Sequence, residues 1–429
     1  MTPTGRGARS RSNRVASVTC LGCGCACDDI VLTVRDDRIV EADHACPLGA
    51  AWFGDGRVPG AVRVDGRESE AEAALDAAAG LLRGARGRLF VLLADDLTCA
   101  AQRVALGIAD RLGAVADGVV SQTAADGILA AQRRGRAGAT LGELRNRADL
   151  VLYWGVDPDA RYPRYRQRYT GHPSGLHLRR GHRNRTVISV SIGADAGPAE
   201  ADVRITLGPE QEIAALAELR ARLLGRTLGA AAGPAAELAD LAGRLVQAKY
   251  VALVADGESA AERRSPDRTE ALITLAQALN APTRAALSTL RGGGNRSGAE
   301  AVMTWQTGFP FAVDFSRGFP RYQPEVRGAA LVERGRFGAA LVAGSPASVP
   351  DALRAALGGV PAVVVGPRAS EAPFPARVTI DTGVAGIHEA GLGYRMDDVP
   401  LPLRAVVPGP RTATETLERL AARLAEAGR

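Results

Sequence analysis

Apolar and polar positions along this chain alternate between strand-like runs and helix-like stretches. Continuous apolar runs predict buried parallel strands at 88–94, 149–154, 186–190, 250–255, 338–343 and 362–365. Amphipathic stretches predict helices at 69–82, 97–112, 209–224, 235–248, 268–279 and 350–357. A capping box at 412–415 predicts a closing helix. This alternation predicts an α/β fold made of several doubly wound subdomains.

Segments of different character divide the chain. We predict a disordered tail at 1–14, a Cys-rich cluster-type domain at 15–60, α/β subdomains at 61–285, an aromatic loop segment at 286–330 and a C-terminal α/β subdomain at 331–429. Within the Cys-rich domain, apolar and polar residues alternate on both sides of Asp36 and Asp37, which predicts a β-hairpin. The loops after Trp154, Val190 and Val365 follow strands, where α/β sheets bind ligands.

The composition is that of an ordinary globular protein. The 429 residues are 46% hydrophobic and 23% charged, with a formal net charge of +6 at pH 7. No run of about 18 apolar residues occurs, and no nucleic-acid-binding module is recognised. We therefore expect neither a membrane nor a nucleic acid as a partner. Clustered thiols favour a reducing, cytoplasmic location.

A set of cysteines near the N-terminus has the spacing of a metal-ligating site. The pattern C-x2-C-x3-C-x18-C is formed by Cys20, Cys23, Cys27 and Cys46. Soft thiolate ligands suit a [4Fe–4S] cluster, which is the interpretation that we favour. Structural zinc and a fold with free or disulfide-bonded thiols are the alternatives. We expect Cys25 to be a spare thiol and Cys99 to be a small buried hydrophobic residue.

A basic stretch from 161 to 185 contains eight arginines and three histidines. A solvated basic surface explains this stretch as well as an anion site does. In an anion site, the Arg side chains would bind the oxyanions of a pyrophosphate, a pterin phosphate or a polyglutamyl tail. Both interpretations stay open at this point.

An aromatic segment lies between 292 and 322, where Gly and Pro interrupt any regular period. The glycines at 292–294 give a weak hint of a phosphate loop. The irregular pattern predicts an ordered loop rather than a core helix. Aromatic residues on such loops often line a pocket or an interface, although plain packing is the alternative. The pocket or interface candidates are Trp305, Phe309, Phe311, Asp314 and Arg317.

Several motifs together resemble the B subunit of formylmethanofuran dehydrogenase, which belongs to the molybdopterin oxidoreductases. They are the N-terminal cysteines with Asp28 and Asp29, and the motifs at 153–158, 163–164, 304–318 and 386–397. The resemblance extends from about Val18 to Arg404. It implies a formate dehydrogenase-like α/β fold with an N-terminal iron–sulfur cluster. It also implies tungsten or molybdenum held by pterins, where carbon dioxide is reduced to formate.

The chain departs from the family pattern where the family binds its metal. Ala125 stands at the position of the metal-ligating Cys and Asp126 at the position of the following His. Alanine cannot ligate a metal, although the Asp126 carboxylate could. Asp157 replaces an Asn, the pterin-contacting motif is altered at 190–193, and a Lys after Cys46 is missing. These changes imply a vestigial active site and argue against a bound metallopterin.

The same departures resemble a bacterial branch of the family, the B subunit of the formyltransferase/hydrolase complex. That branch implies a non-redox scaffold for the amidohydrolase-like A subunit, assembled with the C and D formyltransferase subunits. The complex would move a formyl group from tetrahydromethanopterin to a furan cofactor and hydrolyse it to formate, as part of formaldehyde oxidation. This chain would contact the polyglutamyl furan cofactor only indirectly. The alternative is a redox-active B subunit with metallopterin and a [4Fe–4S] cluster. The histidines form no zinc-hydrolase motif, and we expect His388 to be structural.

Overall fold

The structure, a computed structural model, describes residues 12–175, 178–195, 197–226, 235–258 and 265–426. These residues form two compact units. Unit 1 extends up to Gln122, then from Gly293 to Arg395 and from Pro400 onward. Unit 2 contains Thr123–Gly292 and Met396–Val399.

The N-terminal part of the chain supplies a meander and the first elements of unit 1. These are β1 (Ser12–Val18), β2 (Ile30–Arg35), β3 (Arg38–Asp43), α1 (Pro47–Phe53), β4 (Val62–Val64), β5 (Arg67–Glu68), α2 (Ala71–Gly84), β6 (Leu89–Leu93), α3 (Cys99–Leu112), β7 (Val115–Gly118) and α4 (Val120–Thr123). Asp36 and Asp37, between β2 and β3, have φ values of +50° and +58°. Two successive left-handed residues fit a type I′ turn, so the predicted hairpin is confirmed.

Strands and helices also alternate in the remaining two parts of the chain. Unit 2 contains α5 (Ala125–Arg134), α6 (Leu141–Arg147), β8 (Leu150–Trp154), α7 (Pro158–Arg161), β9 (Thr186–Ile192), β10 (Val203–Leu207), α8 (Glu212–Leu223), α9 (Ala235–Gln247), β11 (Val251–Asp256), α10 (Pro266–Leu279) and β12 (Ala285–Leu290). Unit 1 resumes with α11 (Arg296–Thr307), β13 (Val313–Asp314), β14 (Arg321–Tyr322), α12 (Gly328–Gly335), β15 (Ala339–Ala343), α13 (Asp351–Leu357), β16 (Ala362–Gly366), β17 (Val378–Asp381), β18 (Gly391–Tyr394), β19 (Pro400–Leu403) and α14 (Ala413–Glu426).

The main sheet of unit 1 has the strand order β14-β13-β7-β6-β15-β16-β17-β4-β5. The five central strands of this order, β7-β6-β15-β16-β17, pair in parallel. The pairs toward both edges of the sheet are antiparallel. Leu89, Val91 and Leu93 of β6 pack in the core formed with α2, α3 and α14. Phe90 and Leu92 pack in the opposite core with α12 and α13. Helices cover both faces, which is why this strand is apolar at every position.

Unit 2 contains a parallel sheet with the order β10-β9-β8-β11-β12. Leu150, Leu152 and Trp154 of β8 are buried in a core that also contains side chains of α8, α9 and α10. The strand–helix alternation predicted from the sequence is therefore confirmed as a mixed α/β fold. None of the described helices is long and apolar enough to cross a membrane.

The structure divides the chain differently from the predicted segments. β6, from the predicted segment 61–285, pairs with β15, from the predicted segment 331–429, so both segments share one sheet. The predicted loop at 286–330 contains the helix α11, which ends at Gly308 with a left-handed φ of +83°. The pattern missed this helix because glycines precede it and Gly-Pro breaks follow it. Of the predicted tail 1–14, residues 12–14 lie in β1 and the others lie outside the described residues.

Candidate functional site

The cysteine loop, residues 20–27, is a tight turn in unit 1. The Cys20 N–H donates to the Cys27 carbonyl at 2.9 Å, and the Ala26 N–H donates to the Cys23 carbonyl at 3.2 Å. Ala26 has a φ of +38° within this turn. The hairpin of β2 and β3 leads to Cys46, which is the N-cap residue of α1. The loop and the hairpin therefore supply the predicted ligands from two sides.

Two glycines lie against the sulfur atoms. The Gly22 N–H donates to Cys20 Sγ at 3.4 Å, and the Gly49 N–H donates to Cys46 Sγ at 3.4 Å. A β-carbon on Gly49 would lie 3.2 Å from Cys20 Sγ and 3.8 Å from Cys46 Sγ. Both sulfurs therefore lie beside Gly49. N–H donors favour the deprotonated form of a thiol, which is the form that ligates metals.

The thiols also act on one another electrostatically. Burial raises the pKa of Cys20, and the neighbouring Cys23, Cys27 and Cys46 raise this pKa further, while the Gly22 N–H lowers it. The pKa of Cys23 is lowered, chiefly by a hydrogen bond from the side chain of Cys25. Cys25, expected to be a spare thiol, therefore has a partner inside the loop. Repulsion among neighbouring thiolates is relieved when a metal centre supplies positive charge.

The residues present can accommodate an iron–sulfur cluster. All six cysteines lie in the described part of the chain, and none forms a disulfide. Among the described residues, no three His, Cys, Asp or Glu side chains converge on the position of one metal ion. Four Cys thiolates close the coordination of a [4Fe–4S] cluster, so the four cysteines match the predicted donor set in number and kind.

A glycine turn, residues 293–295, lies directly against the cysteine loop. The Gly294 N–H donates to the Leu21 carbonyl at 2.8 Å. A β-carbon on Gly293 would lie 2.7 Å from the Cys23 backbone nitrogen and closer still to the Leu21 carbonyl oxygen. The glycines that hinted at a phosphate loop therefore allow two backbone segments to approach closely.

The glycine turn is itself held by neighbouring side chains. Asn295 is 1% exposed and has a φ of +64°. Its Nδ2 donates to the Leu97 carbonyl at 2.8 Å, and its Oδ1 accepts from the Tyr394 N–H at 2.8 Å. The next residue, Arg296, donates to both carboxylate oxygens of Asp95 from Nε at 3.0 and 3.1 Å. This network connects the turn to β18 and to the loop between β6 and α3.

A cavity of about 280 Å³ in unit 1 opens where β6, β15 and β16 end, and Asp96, Ser345 and Arg368 line it there. Asp96 has a φ of +68°, and its Oδ1 accepts from Trp52 Nε1 at 3.1 Å. Burial raises the pKa of Asp96, against the opposing effects of Trp52 and Arg296. A carboxyl group at the carboxyl ends of parallel strands is well placed to bind a ligand.

His388 lines the same cavity and has both ring nitrogens engaged. Its Nδ1 accepts from the Val384 N–H at 3.0 Å, so its Nε2 donates to the Gly56 carbonyl at 2.7 Å. Burial lowers the pKa of His388, which favours this neutral form. The expectation that His388 is structural is consistent with these contacts.

The predicted vestigial position lies in unit 2, at the start of α5. Ala125 is 3% exposed, and Asp126 beside it is partly buried. Asp157 caps the short helix α7, because its Oδ1 accepts from the Asp159 N–H at 3.0 Å. Asp157 therefore has a local structural role.

Two arginines of the basic stretch are occupied by the protein itself. Arg185 is buried, and its guanidinium donates to five backbone carbonyls, those of Leu144, Arg145, Ala148, Tyr169 and Thr170. Burial lowers the pKa of Arg185 to about 10. Arg166 pairs with Asp159 and Glu200, each at 2.5 Å. These two cations support the fold, and His177 lies outside the described residues.

The aromatic candidates divide into buried and exposed residues. Phe311 is fully buried, and Phe309 stacks on Tyr322 with ring centroids 5.0 Å apart. Asp314 is 5% exposed and pairs with Arg321. Trp305 on α11 is 50% exposed, and Arg317 is also exposed. The structure therefore leaves Trp305 and Arg317 accessible to a partner and places Phe311 and Asp314 in the packing.

Sequence reasoning missed Trp52, Asp96 and the contact of Gly293 with the cysteine loop. Asp96 had a usable signal, because it lies in the loop that follows the predicted strand at 88–94 and such loops bind ligands. The contact of Gly293 had no sequence signal, because Leu21 and Cys23, which it touches, are far away along the chain.

Relatives of known function cover nearly the whole chain, although no family model matches it. The B subunit of the tungsten-containing formylmethanofuran dehydrogenase 2 of Methanocaldococcus jannaschii is 33% identical over 414 residues, covering 92% of this chain and 94% of the relative. Its namesake from Methanococcus maripaludis is 29% identical over 411 residues, with the same coverage. The Fhc B subunit of the formyltransferase/hydrolase complex of Methylorubrum extorquens is 32% identical over 270 residues, covering 61% of this chain and 67% of the relative.

A solved structure agrees with these relatives. A chain of the formyltransferase/hydrolase complex FhcABCD from Methylorubrum extorquens, solved with methylofuran, matches with a TM-score of 0.72 and 28% identity. The match covers 86% of this chain and 99% of that chain. Fold and site together define an α/β protein with an N-terminal four-cysteine site, formed by the cysteine loop and Cys46. The chain belongs to the family of formylmethanofuran dehydrogenase B subunits, and the resemblance stated from its motifs is confirmed.

Proposed function

We propose that this chain is the B subunit of a formyltransferase/hydrolase-type complex in tetrahydromethanopterin-linked one-carbon metabolism. It has a molybdopterin-oxidoreductase-like fold, and it serves as a non-redox scaffold for the hydrolase subunit. One observation carries the proposal: Ala125, with a buried methyl group, stands at the position that the motif resemblance assigns to the metal-ligating Cys. A methyl group has no lone pair to give to tungsten or molybdenum.

No other thiolate in the chain is suited to replace the missing ligand. Five of the six cysteines belong to the N-terminal site or lie within its loop. Cys99 is the sixth, and it is 4% exposed at the start of α3. Its Sγ accepts from Asn295 Nδ2 at 3.6 Å, and burial raises its pKa. This thiol is therefore already engaged in the hydrophobic core of unit 1.

The four cysteines are proposed to bind a [4Fe–4S] cluster whose role in this chain is structural. When bound, such a cluster would be held by Cys20, Cys23, Cys27 and Cys46 and would supply positive charge among the thiolates. A bound metal centre also stabilises a small, loop-rich segment. Exposed Trp305 is a candidate contact for another subunit, since aromatic residues are enriched at protein interfaces.

The proposal is tested by anaerobic purification of the tagged chain with its partners, followed by analysis for Fe, W, Mo and Zn. We expect about four Fe per chain, no W or Mo, and co-purification of the other subunits. Ala125→Ser should leave formate release by the complex unchanged. About one W or Mo per chain, or a chain that purifies without partners, would contradict the scaffold role.

A redox-active B subunit is the alternative, because the two relatives that cover 92% of the chain are tungsten-containing. In that case Asp126 is the residue whose carboxylate would ligate the metal. Asp126→Asn should then remove W or Mo from the complex, while Asp110→Asn, at an exposed position of α3, should not. The scaffold proposal expects both variants to have the metal content of the parent.

A further inference from the structure

We infer that Gly293 is a positioning residue for the four-cysteine site: its missing side chain lets the cysteine loop adopt the geometry that binds an iron–sulfur cluster. This inference rests on the cluster proposed above and does not depend on the scaffold role. It assigns a function to a glycine that is remote in sequence from every candidate ligand.

The space at Gly293 is closed by backbone atoms of the cysteine loop. A β-carbon there would lie 2.7 Å from the nitrogen and 2.8 Å from the Cα of Cys23, and closer still to the Leu21 carbonyl oxygen. Contacts this short cannot be relieved by rotating a side chain. Gly293 does not have a left-handed φ, so alanine is compatible with its backbone conformation. A methyl group at this position therefore acts on the cysteine loop.

The glycine turn cannot easily move away from the added methyl group. The Gly294 carbonyl accepts from the Asp96 N–H at 2.8 Å, and a β-carbon on Gly294 would collide with Asp95. Arg296, next to the turn, is held by Asp95 through Nη2 at 2.9 Å. The cysteine loop is the part that must shift, and Cys23 would move with it.

Gly49 offers an independent test of the same site from the opposite side. The nearest neighbours of an added β-carbon there include two sulfur atoms, Cys20 Sγ at 3.2 Å and Cys46 Sγ at 3.8 Å. The methyl group of Gly49→Ala would therefore displace neighbouring side-chain atoms, Cys20 Sγ above all, by a few tenths of an ångström and would meet no backbone atom among its nearest neighbours. Gly80 is the matched control, because a β-carbon at this position in α2 would meet no atom within 4 Å.

The experiment loads the full-length chain anaerobically with ferrous iron and sulfide. Iron and sulfide per chain, the EPR spectrum of the reduced cluster and the far-ultraviolet circular dichroism are measured for the parent, Gly293→Ala, Gly49→Ala and Gly80→Ala. We expect the parent and Gly80→Ala to bind about four irons. Gly293→Ala should bind at least fivefold less iron or give a shifted EPR spectrum, with the circular dichroism of the parent. Gly49→Ala should change the EPR spectrum.

Two results would overturn the inference. One is a parent chain that binds no iron in the presence of sulfide. The other is a Gly293→Ala variant with the iron content and EPR spectrum of the parent. If Gly293→Ala does not fold, Gly49→Ala decides, and an unchanged EPR spectrum for that variant rejects the site geometry. The scaffold proposal fails on different readouts, namely tungsten or molybdenum content and co-purification.

Discussion

Replacement of Asp117 tests how unit 1 holds in place the residue before β13 and the first residue of α12. This carboxylate is fully buried at the end of β7. Its Oδ1 accepts from the Gly118 N–H at 2.9 Å and the Ala312 N–H at 3.2 Å. Its Oδ2 accepts from Ser121 Oγ at 2.7 Å and the Gly328 N–H at 2.8 Å. One side chain therefore satisfies donors from three separate parts of the chain.

The size of the effect follows from the donors that each substitution leaves without an acceptor. Ser121→Ala removes one donor and should cost about 1 kcal/mol of unfolding free energy. In Asp117→Asn, the Ser121 hydroxyl can rotate to accept, but the Gly328 N–H then faces an amide donor. We expect a loss of about 2 kcal/mol. Asp117→Ala strands the amides of Gly118, Ala312 and Gly328, and should cost about 4 kcal/mol.

Urea unfolding and hydrogen exchange together measure this series. Exchange is needed because the two units need not unfold in one transition. We expect the decrease in the unfolding midpoint of unit 1 to be smallest for Ser121→Ala, larger for Asp117→Asn and largest for Asp117→Ala. Peptides that contain Ala312 and Gly328 should exchange fastest in Asp117→Ala. Equal midpoints for Asp117→Ala and Ser121→Ala would refute the argument that this carboxylate holds these segments.

Three more predictions concern buried polar groups. Arg268→Met should destabilise unit 2 by about 3–5 kcal/mol in urea unfolding, because buried Glu212 accepts from Arg268 Nε at 2.7 Å and would lose this cation while keeping the Trp154 Nε1 donor. Adding Glu212→Gln should recover part of that loss. His388→Gln should flatten the pH dependence of the stability of unit 1. Burial lowers the pKa of His388 in the folded chain below 6.5, so at a pH between this lowered pKa and 6.5 the unfolded chain binds a proton that the folded chain does not. The parent therefore loses stability as the pH falls below 6.5. Arg185→Lys should lower the free energy of unfolding by about 2–3 kcal/mol, because the three donors of an ammonium group replace a guanidinium that donates to five carbonyls. Arg183→Lys is the control at an exposed position and should leave the free energy of unfolding almost unchanged.

The local features of the fold could be predicted because local sequence determines them. The run at 89–93 is apolar at every position because both faces of the strand are buried. The hairpin around Asp36 and Asp37 follows from residues that tolerate a left-handed φ. The four cysteines are recognisable because ligand spacing within one short segment is itself a local pattern.

The remaining features depend on contacts between distant parts of the chain. Phe311 and Trp305 belong to the same aromatic segment, yet one is fully buried and the other is 50% exposed. Composition could not separate them, because burial depends on which elements fold over the segment. Composition has the same limit in the basic stretch, because the sequence does not distinguish Arg185 from an exposed arginine. Only the fold brings the carbonyl groups that accept its hydrogen bonds close to it. Gly293 is the extreme case, because its role is visible only against Leu21 and Cys23.

The proposal combines four cluster-binding cysteines with an Ala at the position that the motif resemblance assigns to a metal ligand, and the contacts within each unit give this combination a physical explanation. An Ala at position 125, the start of α5, leaves no unsatisfied polar group, so the proposed absence of a ligand there would cost the fold little. The cysteine loop is different, because Leu21 accepts from the glycine turn and that turn accepts from Asp96. A bound cluster would add covalent cross-links to these contacts, since a metal centre stabilises a small, loop-rich segment. Removing the cluster should therefore lower the unfolding midpoint of unit 1, whereas Ala125→Ser should leave that midpoint unchanged.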